Sequence, residues 1–507
     1  MLLSELIQST TPLATGGSLA SEVRGLHYDS RRVQPGTLFF ALRGVASDGH
    51  RFIGAALLAG AAAVVLEDES FVPEGANWVK VADARLAMAL MASSYYGEPT
   101  AAVPLVGITG TNGKTTTTYL VEGILAAAGR AAAVLGTVSY RFRERVIPAP
   151  HTTPESVDLQ SILRELVDLG ARGVVMEVSS HALEQHRVDG CKFDVGVFTN
   201  LTRDHLDYHH DMESYLASKQ RLFTELLIPD RVKPQRRAVI NLDDAYGAEV
   251  KAASACPVIG YGFDPAAQVT ARDIRITVDG ISGVLVTPLG EIPFRSRLLG
   301  RFNLYNILAA VGAGVALDLP LTAIREGIEC HPSVPGRLER VDNDRGVTLL
   351  VDYAHTGDAL ENVLRTVKDL AEGRIITVFG CGGDRDKGKR PVMGEIAGRY
   401  SDLAIITSDN PRTEDPSFIL SQVREGILPL GLREFNPDEL AESMPGKGFC
   451  TVENRREAIR MAVKLARPGD IILLAGKGHE DYQIIGTEKH HFDDREEAAR
   501  AFSEVGT

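Results

Sequence analysis

Along this chain, short runs of β-branched and other apolar residues lead into Gly-containing turns and then into stretches with helical spacing. "ARGVVMEVSSHAL", "GRIITVFGCGGDRDKGKRPVMGEIA", "DLAIITSDNPR" and "GDIILLAGKGHED" all follow this order. Strands alternating with helices imply parallel sheets covered by helices, so the predicted fold class is α/β with mostly parallel sheets. In such sheets ligands sit beyond the carboxyl ends of the strands. Residues 52–66 form an uncharged run of 15 residues rich in Ala and Gly. A bilayer span needs about 20, so this run is read as a helix followed by the strand "AAAVVLE".

At about 150 residues per domain, a chain of 507 residues predicts about three domains. The turn-rich segments "YYGEPTAAVP" and "HPSVPGRLER" supply the boundaries, giving residues 1–97, 98–331 and 332–507. The net charge of −13, from 67 acidic and 54 basic residues, argues against a nucleic-acid or anionic-membrane binder. It leaves room for a local basic cleft that holds an anionic ligand. Five scattered cysteines without a C-x-x-C pair read as buried thiols in a reducing compartment. The N-terminus "MLLSELIQST" has no basic n-region, and a cytoplasmic location is expected.

The chemistry concentrates at the predicted strand ends. "GITGTNGKTT" departs from a strict P-loop, because Ile108 stands where that pattern requires Gly. Its physics is retained. Gly110 and Gly113 let backbone N–H groups approach phosphate oxygens at the positive end of the following helix. Lys114 can reach the β- and γ-phosphates, and the Thr115 hydroxyl can bind Mg²⁺. Glu177, at the tip of "GVVMEVSSH", is either a ligand for a hard cation or a cap or ion-pair partner. In "VFTNLTRDHLDYHHDMESYLASKQRLF", His205, His209 and His210 raise zinc as an alternative to a Mg²⁺/nucleotide role, with residues 205–209 read as a loop. Composition alone reads Lys219 as a solvated helix lysine.

Further on, "FGCGGDRDKGKRP" packs Arg385, Lys387, Lys389 and Arg390 into a Gly-rich loop. "SDNPRTEDP" supplies Asp409, Asn410 and Arg412, and "AGKGHEDYQ" adds Gly476, Lys477, His479 and Glu480. An Asp can take an ammonium and an Arg fork a carboxylate, so together they suit an amino acid. The competing reading of Asp409 and Asn410 is a solvated turn with an Asx cap.

With "GTNGKTT", "EVSSHALEQHRV", "NLTRDHLDYH", "SKQRLF", "GRFNLYNILAA", "DYAHT", "GCGGDRDKGKRP", "DNPR" and "GKGHE" in this order, the sequence resembles the Mur ligases over essentially its whole length. The resemblance implies an N-terminal UDP-binding domain, a central P-loop-type ATPase domain and a C-terminal Rossmann-like domain that receives the amino acid. Within the family it points to the members that extend UDP-N-acetylmuramoyl-L-alanyl-D-glutamate, through an acyl phosphate made with ATP. It implies that Gly110, Thr111, Asn112, Gly113, Lys114, Thr115 and Thr116 hold ATP, with Asn303, Asn306, Arg337 and Asp352 on the adenine and ribose side. Thr115, Glu177, His205 and Lys219 would hold Mg²⁺, the family carbamylating the lysine at the Lys219 position. The resemblance assigns Ser30, Thr152, Thr153, Ser179, Gln185 and Arg187 to the UDP-MurNAc-dipeptide. His151 departs from the Asn of many relatives and puts that contact in doubt. Arg385, Asp409, Asn410, Pro411, Arg412, Gly476 and Glu480 would receive meso-diaminopimelate. The lysine-adding members typically lack an arginine where this chain has Arg412. A monomer without nucleic-acid or membrane partners is expected. The rival readings are a lysine-adding ligase, a folylpolyglutamate synthase-like ligase, and a P-loop switch or transport ATPase.

Overall fold

The computed structural model describes all residues except 45–46, 205, 331–332, 442–445 and 506–507. The chain falls into two compact units, Met1–Arg272 with Val284–Pro293 and Tyr305–Cys330, and Asp273–Gly283 with Phe294–Leu304 and His331–Thr507.

The first unit carries two sheets. In the smaller, Gly25–His27, Thr37–Phe40, Ala63–Leu66 and Trp78–Lys80 run parallel in that order, and Ala14–Gly16 pairs antiparallel at the Trp78 edge. The uncharged run splits into helix Ile53–Leu58 and strand Ala63–Leu66. All four residues of that strand are buried, which is why its sequence shows no polar alternation.

The larger sheet has eight strands. Val258–Tyr261, Arg237–Asn241, Val195–Phe198, Leu105–Thr109, Gly173–Glu177 and Ala132–Leu135 are parallel neighbours in that order. Tyr140–Phe142 and Arg145–Ile147 continue it antiparallel. From Leu105–Thr109 the chain moves to one side through Ala132–Leu135 and Gly173–Glu177, then resumes on the other side at Val195–Phe198. Leu105–Thr109 is therefore the topological switch point, where the loops at the strand ends diverge and leave a crevice. Close packing fixes it there, since a Cβ on Gly107 would come within 2.5 Å of the Phe193 ring.

A three-stranded sheet of Thr270–Thr277, Gly280–Thr287 and Gly290–Ser296 follows in sequence. The second unit is built on seven strands in the order Glu339–Val341, Thr348–Asp352, Ile471–Ala475, Ile375–Phe379, Leu403–Ile406, Gly448–Thr451, Arg433–Glu434. All pairings are parallel except that of Glu339–Val341. Helices Gly357–Leu370, Lys389–Tyr400 and Pro416–Ile427 contribute to one core, and Arg455–Leu465 and Asp494–Val505 to another. A hairpin, Tyr482–Ile485 with Glu488–His491, follows the strand Ile471–Ala475.

Arg455 and Asp494 form an ion pair with both side chains fully buried. Nε and Nη2 of Arg455 donate to the carboxylate at 2.8 and 2.6 Å, and Nη2 also donates to the Ala475 carbonyl at 3.1 Å. Arg455→Ala leaves a buried carboxylate without its partner, and is expected to cost about 3–5 kcal/mol, read as a lower denaturation midpoint. A change within about 0.5 kcal/mol, the scale of an ordinary surface substitution, would contradict this account of the pair.

Candidate active site

The loop from Gly110 to Gly113 joins the central strand to helix Lys114–Ala127. Both glycines have positive φ, 145° and 86°. A Cβ on Gly110 would lie 1.9 Å from Thr199 Oγ1, and one on Gly113 2.3 Å from Asn306 Oδ1. Only glycine fits either position. The loop after strand Val195–Phe198 holds it from the side: the Thr111 and Asn112 N–H groups donate to Asn200 O and Oδ1, both at 2.9 Å. Thr199 Oγ1 donates to the Asn112 carbonyl at 2.6 Å. Lys114 Nζ folds back to the Gly110 and Thr111 carbonyls at 2.9 and 2.8 Å. Thr115 and Thr116 are buried in the first turn of the helix.

Glu177 ends its strand buried. Its Oε2 accepts from the Thr115 hydroxyl at 3.1 Å and the Thr137 hydroxyl at 3.0 Å, while Oε1 accepts from the Thr137 N–H at 2.9 Å. Thr137 Oγ1 lies 3.1 Å from Thr152 Oγ1. A hydroxyl–carboxylate chain thus runs from Thr115, just after the Gly110–Gly113 loop, to the "HTTPE" segment. Next in line, Thr153 Oγ1 donates to the Glu177 carbonyl at 2.9 Å and accepts from the Ser179 N–H at 3.1 Å. Ser179 caps helix Ser180–Glu184. Arg187 donates to the Thr153 carbonyl at 2.9 Å and to Gln185 Oε1 at 2.8 Å, and pairs with Glu155 at 3.0 Å. Ser30 begins a short 3₁₀ turn. Beside it, the Tyr28 hydroxyl donates at 2.5 Å to Asp158, in the helix that follows Thr153. The His151 side chain is exposed, and its carbonyl accepts from the Tyr140 hydroxyl.

Two readings of the histidine-rich segment need correction. Residues Leu206–His209 form a short helix rather than a loop. His209 is buried, with Nε2 2.9 Å from Ser180 Oγ and Nδ1 3.4 Å from Ser218 Oγ, so its ring nitrogens face hydroxyls and not a zinc site. His205 lies outside the described residues, and His210 has a positive φ of 66°. Among the described residues no three His, Cys, Asp or Glu side chains gather as a metal cluster. The hard oxygens of Thr115 and Glu177 nonetheless suit Mg²⁺, which takes one or two carboxylates plus substrate phosphates.

Lys219 is not solvated. It sits on helix Met212–Thr224 at 1% exposure, with Nζ donating to the Gly110 carbonyl at 3.0 Å and lying 4.4 Å from the Tyr215 ring centre. Burial first, and then the neighbouring Lys114 charge, push its pKa well below the usual lysine value; Asp204 opposes them. No residue-type pattern announces this, because the helix turns the lysine toward the loop of another element.

In the second unit the loops after three neighbouring strands come together. Asn410 Nδ2 donates to Glu480 Oε2 at 2.9 Å, and its Oδ1 accepts from the Ile484 N–H at 2.9 Å. Asp409 and Asn410 are buried, which removes the reading of a solvated turn. Arg412 has φ of 51° and is held by backbone bonds to Ile484 and Gly486 of the hairpin. Its Nη1 donates to the Gly383 carbonyl at 2.9 Å. Arg385 is exposed on the adjacent loop, and both arginines flank Gly382: a Cβ there would lie 2.9 Å from Arg412 Nη1 and 3.8 Å from Arg385 Cγ. Gly383 N–H donates to the Asn410 carbonyl, and the Pro411 carbonyl accepts from Glu414 N–H. Arg390, by contrast, is a buried scaffold residue bonded to Glu414, Gln422 and Gly382. Gly476 has φ of 114°, beside Asp409. Asp352 accepts from the Leu338 and Ala354 N–H groups at 2.7 and 2.8 Å, and Arg337 stacks 5.0 Å from the Tyr353 ring centre. Asn303 Nδ2 donates to the Leu299 carbonyl at 2.8 Å.

The chain matches the Mur ligase family catalytic domain over residues 22–96, the Mur ligase middle domain over 108–314 and the Mur ligase glutamate ligase domain over 336–478. It is 68% identical over 507 residues to the UDP-N-acetylmuramoyl-L-alanyl-D-glutamate--2,6-diaminopimelate ligase of Geobacter metallireducens, covering 100% of this chain and 99% of the relative. The chain belongs to the Mur ligase family. The Mur ligase of the same description from Geobacter sulfurreducens is 65% identical over 502 residues, covering 99% of each chain. A solved structure of such a Mur ligase matches with a TM-score of 0.73 at 33% identity, over 100% of this chain and 99% of that one. Thr137, which bonds Glu177, and Asn200, which holds the Gly110–Gly113 loop, were missed in the sequence because neither lies in a charged or Gly-rich motif.

If Lys114 exchanges its loop carbonyls for the transferring phosphate, Lys114→Ala is expected to lower kcat for ADP release by about 10²–10³-fold or more. Undiminished turnover would take Lys114 out of the mechanism. Lys219→Ala is expected to lose activity and to regain part of it with added formate or acetate; absence of any rescue would count against a carboxylate-like group at this position.

Proposed function

We infer that this Mur ligase joins meso-diaminopimelate to UDP-N-acetylmuramoyl-L-alanyl-D-glutamate with ATP, through an acyl phosphate, in peptidoglycan synthesis. The observation that carries the reading is 68% identity, over the whole chain, to a relative named for that reaction. A carboxylate is a poor electrophile, and phosphorylation gives it a leaving group. The glutamate carboxylate oxygen bonds the γ-phosphorus, the bond to the bridging oxygen breaks, and ADP leaves. The diamino-acid nitrogen then bonds the acyl carbon, loses a proton, and phosphate departs from the tetrahedral adduct.

Two anions must meet in the first step, and cations and oriented N–H groups have to hold them. The loop Gly110, Thr111, Asn112, Gly113 and the first helical residues Lys114, Thr115 and Thr116 take the triphosphate; Lys114 exchanges its carbonyl partners for phosphate oxygens. Thr115 and Glu177, with His205 and Lys219, hold Mg²⁺, which when bound offsets the charge of the two anions. The Lys219 amine, its pKa pulled well below the usual lysine value by burial and then by Lys114, adds in its neutral form to CO₂ and releases one proton, giving a carbamate with carboxylate-like oxygens. Thr152, Thr153, Ser179, Gln185, Arg187 and Ser30 bind the UDP-MurNAc-dipeptide, and Asn303, Asn306, Arg337 and Asp352 the adenine and ribose.

In the second unit Asp409, Asn410, Glu480 and Gly476 take an ammonium group, and Arg412 with Arg385 a carboxylate. The same reading divides the chain into lobes of residues 1–97, 98–331 and 332–507, working as a monomer in the cytoplasm. Among the described residues no helix is long and apolar enough to cross a membrane.

Diaminopimelate differs from lysine by its second carboxylate, and Arg412 is the group that rewards it. With lysine this guanidinium lacks its partner, so kcat/KM for lysine is expected to be lower by at least about 10²-fold. Product masses from competing meso-diaminopimelate and lysine read the ratio, and equal values would contradict the assignment.

A further inference from the structure

Lys477, named in the sequence beside Gly476 and Glu480 but given no role in the proposed function, is fully buried two residues after strand Ile471–Ala475. Its Nζ donates to the Tyr482 carbonyl at 2.5 Å and to Asn410 Oδ1 at 3.3 Å. The same nitrogen lies 3.3 Å from Asp409 Oδ1 and 3.8 Å from Glu480 Oε2. One ammonium therefore faces two carboxylates, Asp409 buried and Glu480 half-buried. A lysine serving only to satisfy a buried acid would be matched by one. Two acids against one ammonium leave one negative charge over, in a place where uncompensated charge is costly.

The surroundings show where that charge is directed. A Cβ on Gly476 would lie 3.7 Å from the Gly380 carbonyl and 3.9 Å from Asp409 Oδ2, ordinary van der Waals contact, so a ligand atom of that size fits beside the carboxylate. Arg412 contributes the opposite charge from the neighbouring loop. The combination matches a zwitterionic amino-acid head, with its ammonium toward the acids and its carboxylate toward the guanidinium.

We propose that Lys477 is a positioning residue of the amino-acid site, keeping Asp409 and Glu480 ionised side by side so that the pair presents one net negative charge to the ammonium group of the diamino acid. This rests on the reading of the second unit as the diamino-acid site. Burial raises Glu480, Asp409 raises it further, and Lys477, the Asn410 amide and Arg412 oppose. Burial would also raise Asp409, but Lys477 and then Arg455 hold it below the ordinary carboxylate range, with His355 acting in the same direction. Tyr353 and Tyr482 also face Glu480. Without Lys477, two adjacent carboxylates, one buried and one half-buried, must share a proton, as like charges at such range do. That proton then competes with the substrate ammonium.

The test is KM for meso-diaminopimelate as a function of pH, between about 6 and 9, with ATP and UDP-MurNAc-dipeptide saturating. For the wild type KM is expected to be nearly flat. For Lys477→Met it is expected to rise about tenfold per pH unit on the acid side, the slope of one competing proton, with a much smaller change in kcat. Adding Glu480→Gln to Lys477→Met removes one carboxylate and should abolish the slope. A KM for Lys477→Met that is unchanged, or raised equally at every pH, would overturn the proposal and leave Lys477 a packing residue. Should Lys477→Met fail to fold, Lys477→Arg keeps the charge and must show the flat wild-type profile; a steep one would overturn the proposal. A wild type that does not use meso-diaminopimelate overturns the functional reading itself, whereas an active wild type with a flat Lys477→Met profile sinks this proposal alone.

Discussion

Two lysine side chains, Lys114 and Lys219, donate to one oxygen, the carbonyl of Gly110, at 2.9 and 3.0 Å. Their nitrogens thus lie within about 6 Å of each other, where two unit charges repel by roughly 3 kcal/mol at the effective dielectric of a protein. One of the two is also 1% exposed. Such an arrangement is relieved by bringing in anions or by removing a charge. In the function proposed above, Lys114 meets phosphate and Lys219 gives up its proton.

That crowding follows from the fold. Leu105–Thr109 is flanked by parallel strands on both sides, so Gly110 emerges where the loops diverge. Thr199 and Asn306 leave no volume for a Cβ on Gly110 or Gly113, which fixes the backbone and aims the carbonyl. Glu177 ends the adjacent strand and ties Thr115 to Thr137, and Thr137 to Thr152. The second unit sets up the converse arrangement at its own strand ends, two acids around the single ammonium of Lys477. In both places like charges are held together by burial and hydrogen bonds, and in the proposed function substrate charge completes the set.

Much of this was legible in the sequence. Strands buried on both faces are continuous apolar runs, so Leu105–Thr109, Gly173–Glu177, Leu403–Ile406 and Ile471–Ala475 stand out, and residues at their ends are marked by position alone. Glycines before a Lys-Thr pair announce a phosphate loop. Long-range placement was less legible. Lys219 has the sequence context of a surface lysine, and only the packing of its helix against Gly110 buries it. Arg390 sits among loop cations but turns inward to Glu414, and His209 in a His-rich run is enclosed by serine hydroxyls. The hairpin that locks Arg412 at positive φ makes its bonds through the backbone, which no side-chain motif encodes.

The claim that the Lys219 amine is uncharged and takes up CO₂ is tested most directly by ¹³C NMR of the protein equilibrated with ¹³C-bicarbonate. A carbamate resonance is predicted that is present in the wild type and absent from the Lys219→Ala spectrum. Identical spectra from the two proteins would contradict the account.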